Sequence, residues 1–190
     1  MHADPPERIR DLADRVVHGD SAEARVEAAS ALRAAQDPDA IPALIAALQD
    51  TEKKVRNAAA QALGAIGRPA IPSLVGLLSA PQWFIRYRAA ETLGFIRDPR
   101  ITPLLIAALS DPEDHVRYMA AKALGTIGDE RAFEPLATLL RDKNEYVRRS
   151  AASALAKVGG ERARIPLTQA VERETREEMK SAIRYIIGAL

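Results

Sequence analysis

The 190-residue chain contains no cysteine, which excludes disulfide staples, thiol nucleophiles and cysteine-ligated zinc. Histidine is almost as scarce. His2, His18 and His115 are the whole supply, and they are too scattered to build a histidine-rich metal centre. Aromatic residues make up 4% of the chain, so any core has to be aliphatic. No apolar run approaches the roughly 20 residues that span a bilayer. The N-terminal stretch MHADPPERIRDLADR is charged and proline-containing where a secretory signal needs an apolar centre. A cytoplasmic location is the resulting expectation. Gly-rich phosphate loops, Ser/His/Asp constellations and two-carboxylate pockets are not visible either. The sequence therefore predicts a protein that is not an enzyme, with no catalytic residues, no metal and no cofactor.

What is present is a repeat. The stretch HVRYMAAKALGTIG, residues 115–128, recurs in four further versions, and its central leucine appears as Leu32, Leu63, Leu93, Leu124 and Leu155, at spacings of 31, 30, 31 and 31. Self-similarity at such a period is the signature of a stacked array rather than of one or two globular domains. Between the long copies lie shorter apolar segments such as AIPALIAALQD, each with a proline near its start: Pro42, Pro72, Pro103, Pro135 and Pro166. Proline in the first turn of a helix sacrifices only an N–H that has no intrahelical partner. Gly67, Gly128 and Gly159 are read as left-handed closures of the longer helices, with Arg97 standing in that place in the third copy. The unit is a helical hairpin. Six of them are expected, at about residues 5–36, 37–67, 68–98, 99–129, 130–160 and 161–190, forming one domain over 1–190. The first, an amphipathic segment with Ile9, Leu12, Val16 and Val17 on one stripe, acts as a cap. So does the last, which keeps Ala182 in register but turns charge outward where another repeat would pack.

Placed at about 100° per residue, the central motif sorts into three stripes. Val116, Ala120, Ala123, Leu124 and Ile127 form the hairpin core. Arg117, Ala121 and Gly125 form a second stripe, small enough to let the neighbouring repeat approach closely. Its arginine recurs as Arg25, Arg56, Arg86 and Arg148. Because Asp50, Asp111 and Asp142 each precede one of these by six residues, an Arg and Asp ladder between the turns of adjacent repeats is expected. The third stripe, His115, Tyr118, Met119, Lys122 and Thr126, varies from copy to copy.

That variable stripe carries the functional expectation. Five of the eight aromatic residues, Phe84, Tyr87, Phe95, Tyr118 and Tyr146, fall on it, with Trp83 at its edge. Together with Arg88, His115, Met119 and Arg149 they have the composition of a protein-binding hot spot. Trp83 and Phe84, near the start of their helix, also have the reach to fold over the hairpin turn below. Net charge is +1, with 5 Lys/Arg against 10 Asp/Glu in residues 1–50 and 11 against 7 in residues 141–190. The variable stripe mixes Lys54, Arg88, Lys122, Arg149 and Lys157 with Glu91, short of the continuous basic groove that nucleic acid requires.

The repeats VRNAAAQALGAIG, VRYMAAKALGTIG and VRRSAASALAKVG, with linkers such as GDERAFEPLATLLRD, resemble the HEAT-like repeats of the phycobilisome lyase type over nearly the whole chain. The resemblance implies an all-α fold, a right-handed α-solenoid or superhelix of six HEAT-like hairpins whose longer helices line the concave side. Artificial binding proteins built on this repeat vary the positions that match the stripe. Members of the family include bilin lyase subunits, deoxyhypusine hydroxylases and interaction modules. The hydroxylases hold iron with repeated His-Glu pairs, and no histidine here is followed by glutamate. The expectation is a monomeric scaffold that grips a protein or peptide on its concave face. A bilin lyase or chromophore-chaperone subunit is the alternative, and a DNA-binding protein the third reading.

Overall fold

A computed structural model of the protein describes residues 5–190; His2 and the start of the charged N-terminal stretch lie outside them. The described residues are helices joined by short turns, with no strand, and none of the helices is long and apolar enough to cross a membrane. The contacts divide the chain into two compact units, one ending at Ile96 and the other spanning Arg97–Leu190.

The first unit holds α1 (Pro5–His18), α2 (Ala22–Ala35), α3 (Ile41–Ala47), α4 (Lys53–Ile66), α5 (Ile71–Leu77) and α6 (Trp83–Ile96). The second holds α7 (Thr102–Ala108), α8 (Asp114–Ile127), α9 (Phe133–Leu139), α10 (Glu145–Gly159), α11 (Arg164–Arg173) and α12 (Glu177–Gly188). Helices pair as hairpins, and long helices pack on long helices: α2 on α4 and α4 on α6 in the first unit, α8 on α10 and α10 on α12 in the second. The repeating Leu32, Leu63, Leu93, Leu124 and Leu155 are all fully buried, as are their counterparts on the short helices, Leu44, Leu74, Leu105, Leu136 and Leu167. One leucine from each arm therefore locks each of the four middle hairpins; in the first, Ile9, Leu12 and Val16 of α1 stand opposite Leu32, and in the last, Met179 and Ile183 of α12 stand opposite Leu167.

Local chemistry sets the ends of these helices. Ser21 accepts the Ala24 N–H at 3.1 Å and starts α2. Asp37, Asp98 and Asp129 accept the N–H two residues on, opening the single 3-10 turn before α3, α7 and α9. Left-handed backbone occurs at Gly67, Gly128 and Gly160, and at the non-glycine residues Gln36 and Arg97. The expectation for Gly159 needs correcting. Its φ is −103° and it is the last helical residue of α10, so the left-handed turn falls one residue later. Gly159 is required for space instead: a Cβ there would lie 2.3 Å from the Phe133 ring.

The arginine ladder is built more specifically than the spacing suggested. Arg117 donates through Nη1 to the carbonyls of Asp111 and Pro112, at 2.8 and 3.1 Å, which are left without helical donors as the chain leaves α7. Its Nε and Nη2 meet both carboxylate oxygens of Asp142 in the next repeat, at 2.7 and 3.0 Å. Arg25 joins the Gly19 carbonyl to Asp50 in the same way. Arg148 joins the Asp142 and Lys143 carbonyls to Glu174. Asp50 and Asp142 in turn accept the N–H groups of Glu52 and Asn144, which begin the next long helix. Each arginine thus uses the backbone of its own hairpin and the acid of the following one. Arg56 keeps the backbone half, donating to the Asp50 and Thr51 carbonyls, while Ala80 occupies the position where its acid would stand.

The small-residue stripe does bring helices together. A Cβ on Gly125 of α8 would fall 2.7 Å from the Ala154 Cα and 2.8 Å from its Cβ on α10. Gly125→Ala is therefore expected to destabilise by about 1–3 kcal/mol through overpacking, although alanine is by itself the better helix former. Gly76, on α5, has nothing within 4 Å of such a Cβ, and Gly76→Ala should be neutral or stabilising by up to about 1 kcal/mol. Urea midpoints of the two variants should move in opposite directions or, at the least, only the first should fall.

Candidate functional site

The ten residues singled out from the sequence divide between the two units. Trp83, Phe84, Tyr87, Arg88 and Phe95 lie on α6, and His115, Tyr118, Met119, Tyr146 and Arg149 on α8 and α10. Two of them are not available to a partner. Met119 is 3% exposed and Arg88 is 8% exposed. Arg88 is held from both sides: its guanidinium donates to Asn57 Oδ1 on α4 at 3.0 Å and to Glu91 Oε2 at 2.6 Å, and lies 5.5 Å from the centre of the Tyr87 ring. Ser150, at the matching position of α10, is also buried and donates to the Tyr118 carbonyl at 3.0 Å. Arg88 and Ser150 fill the seam against the preceding long helix, α4 and α8 in turn, whose shape changes from repeat to repeat. Variation there reports packing.

On α6 the remaining aromatics stay at the surface. Trp83 and Phe84 are in edge-to-face contact, with ring centres 6.2 Å apart and planes at 89°, a favoured geometry for aromatic pairs. Phe95 is half exposed, and its Cβ would lie 2.8 Å from a Cβ on Gly64 of α4. The missing side chain of Gly64 is what lets this phenylalanine lean across the neighbouring helix.

The clearest concave surface is in the second unit, between α8 and α10. Asn144 sets it up. Its side-chain oxygen accepts the Tyr146 and Val147 N–H groups at 2.8 and 3.4 Å, while its Nδ2 donates to Asp114 at the start of α8. Asp114 also meets His115 Nδ1 at 2.8 Å. These contacts fix the beginnings of the two helices side by side and project Tyr146, 66% exposed, from the first turn of α10. Tyr146 stands where three hollows meet. One, of about 360 Å³, runs along the helices and is lined by Tyr118, Lys122, Arg149, Ser153 and Lys157 over a floor of Gly125 and Ala154. Another, of about 370 Å³, holds His115 and Asp114. The third lies toward α12, beside Arg149, Glu178 and Met179.

Tyr118, Tyr146, Arg149 and His115 are thus brought onto one surface. Lys122, Ser153 and Lys157 join them. All three were on the variable stripe in the sequence, but an emphasis on aromatic rings passed them over. Gly125 contributes by absence, since the depth of the groove comes from the same close approach that joins α8 to α10. No group of three or more metal-ligating side chains occurs among the described residues.

Hairpins whose seams are fixed by arginines and whose long helices carry an uneven, variable face define an α-solenoid repeat protein. The chain belongs to the HEAT repeat family, whose model matches residues 9–94, 71–143 and 102–187. No curated protein matches it as a relative. Among solved structures it is similar to the complex of CpcE and CpcF of phycocyanin lyase from Nostoc sp. PCC7120, with 24% identity, a TM-score of 0.72, and coverage of 79% of this chain and 99% of that one. An engineered protein aligns at 21% identity and a TM-score of 0.54, covering 95% of each chain. A computationally designed armadillo repeat protein for modular peptide recognition aligns at 18% identity and a TM-score of 0.53, covering 98% of this chain and all of that one. At these identities the likeness concerns the fold.

Proposed function

We propose that the protein is a non-enzymatic, monomeric cytoplasmic scaffold that binds a protein or peptide segment on the open face of α8 and α10, with Tyr146 and Tyr118 as anchors. The observation that carries this reading is the placement of Tyr146: a large ring left two-thirds exposed where three hollows converge, on a helix whose other aromatic needs are nil. Large amphipathic rings in partly formed hollows are the typical anchors of interfaces. His115 and Arg149 extend the contact. In the first unit, Trp83, Phe84, Tyr87 and Phe95 offer a further apolar surface on α6. The armadillo design for modular peptide recognition supports the reading by analogy of fold alone.

The test is selection from a displayed random dodecapeptide library, followed by anisotropy titration of the selected peptide. Tyr146→Ala should weaken that binding by at least about 1–2 kcal/mol with helicity unchanged. Tyr185→Ala is the control, since that ring is 81% exposed on α12 but lines none of the three hollows. Equal losses from both, or no selected peptide, would remove the reading.

One observation favours a second reading: tyrosines and three cations around a 360 Å³ groove also suit a bilin, a chromophore with carboxylate arms, in a chain similar in fold to a phycocyanin lyase complex. A saturable shift of the bilin absorption bands on titration, lost with Tyr118→Ala, would establish it in place of the first.

A further inference from the structure

Half of the Lys and Arg side chains of the second unit are occupied. Arg100, Arg117, Arg131, Arg148, Arg164, Arg176, Lys180 and Arg184 all form ion pairs within the chain. Lys122, Arg149 and Lys157 are among those that form none with the described residues, and these three are exposed and line the same groove. No acidic residue lines that groove. The contrast is sharpest between neighbours: Arg148 is clamped on Glu174, and Arg149, the next residue, turns to the open face and forms no ion pair with the described residues, although Glu145 and Glu178 line the hollow on its other side. Three like charges held around one hollow repel one another, and no side chain lining that hollow offsets the cost. From this we infer that the segment bound on the α8 and α10 face is acidic, an extended peptide whose carboxylates lie along Lys122, Arg149 and Lys157 while its apolar side chains pack on Tyr118 and Tyr146. The inference rests on the reading of this face as a protein-binding surface and specifies the partner.

Spacing sets the pattern that the partner must carry. Arg149, Ser153 and Lys157 follow one another at single helical turns along α10, so the two cations stand about 12 Å apart. An extended chain rises about 3.3 Å per residue, which places matching carboxylates about four residues apart, on the same side of the segment. Ser153 lies between them and offers a hydroxyl to the intervening backbone. Lys122, on the facing helix, closes the other wall. A nucleic acid fits less well. The positive stretch ends at Tyr146, beyond which Asp114 lines one neighbouring hollow and Glu145 and Glu178 the other, so a continuing phosphate backbone would meet repulsion within a few nucleotides.

The peptides selected from the dodecapeptide library provide the test. Acidic sequences should dominate, with paired Asp or Glu at a separation of about four. Binding of the selected peptide should weaken about tenfold in the double variant Arg149→Glu/Lys157→Glu and should fall as salt is raised. Both positions are exposed, and circular dichroism should show the variant folded. Selected peptides that are neutral or basic, and that are lost with Tyr146→Ala but indifferent to the charge reversal, would overturn the acidic assignment and leave the binding surface standing. Failure to select any peptide would remove both. Tighter binding of a dT12 oligonucleotide than of the selected peptide would overturn the assignment in favour of nucleic acid.

Discussion

Replacing Leu124 by alanine should lower the unfolding free energy by about 2–5 kcal/mol, the range for emptying a fully buried leucine site. The side chain has no exposure, and it sits where the core of the hairpin meets the seam to α10. Its neighbours Ala120, Ala121 and Ala123 are themselves small and buried, so the turn of α8 that precedes it has no long apolar side chain to swing into the space. The loss should therefore fall toward the upper half of that range. Tyr118→Ala, on the same helix but only part-buried, should cost far less. Urea denaturation of the two variants checks the pair, and equal losses would show that Tyr118 is part of the core.

Breaking the arginine clasp should have an effect of similar size. Arg117 and Asp142 are each 8% exposed at the side chain, and Arg117→Met would leave a buried carboxylate with the Asn144 N–H alone and two carbonyls without a donor. Removal of one partner of such a pair costs about 3–5 kcal/mol. Lysine cannot substitute, because one ammonium cannot serve a bidentate carboxylate and two carbonyls in the fixed directions of a guanidinium. The double variant Arg117→Met/Asp142→Leu should recover much of the loss, since no uncompensated charge remains. The same groups set the acid limit. Burial pushes the Asp142 carboxyl up, but the hydrogen bonds from Arg117 and the Asn144 N–H more than offset it and hold it below the usual range. Asp129, bound by Arg131 against the opposing effect of burial and helped by Thr102, is held down to about 2. Groups with depressed native pKa values stabilise the fold fully above their unfolded values near pH 4, and that contribution is lost as the pH falls through the native ones. Melting temperature should therefore be flat through neutrality and drop below about pH 4. The gap between wild type and Arg117→Met should narrow there, because protonated Asp142 no longer needs its cation.

Periodicity alone exposed the leucine columns, the hairpin unit and the division between Arg148 and Arg149, because a residue repeated at every copy must serve what every copy shares. It did not expose the burial of Met119, Arg88 and Ser150. A helical wheel drawn on one repeat shows the side that faces its own hairpin, and the seam against the previous long helix lies on the side that looks free. Nor did it separate Gly159 from Gly160, adjacent glycines of which one makes room for Phe133 and the other turns the chain. The charge of the groove depended on which cations already had partners, and for Arg117 and Arg148 those partners lie 25 and 26 residues away.

The offset of the clasp also bears on how such a chain changes length over evolutionary time. Arg117 finds its acid 25 residues ahead, and Asp111 precedes Asp142 by one period of 31. If residues 99–129 were duplicated in tandem, Arg117 would meet the Asp111 of the copy, and the arginine of the copy would meet the original Asp142. Both new junctions would be born already fastened, with no compensating substitution. A duplication of half a module would leave one arginine without its acid and one acid without its arginine, and selection would discard it. Growth by whole modules is thus the inexpensive mutational path, and each insertion brings a fresh variable face on which a new specificity can be selected.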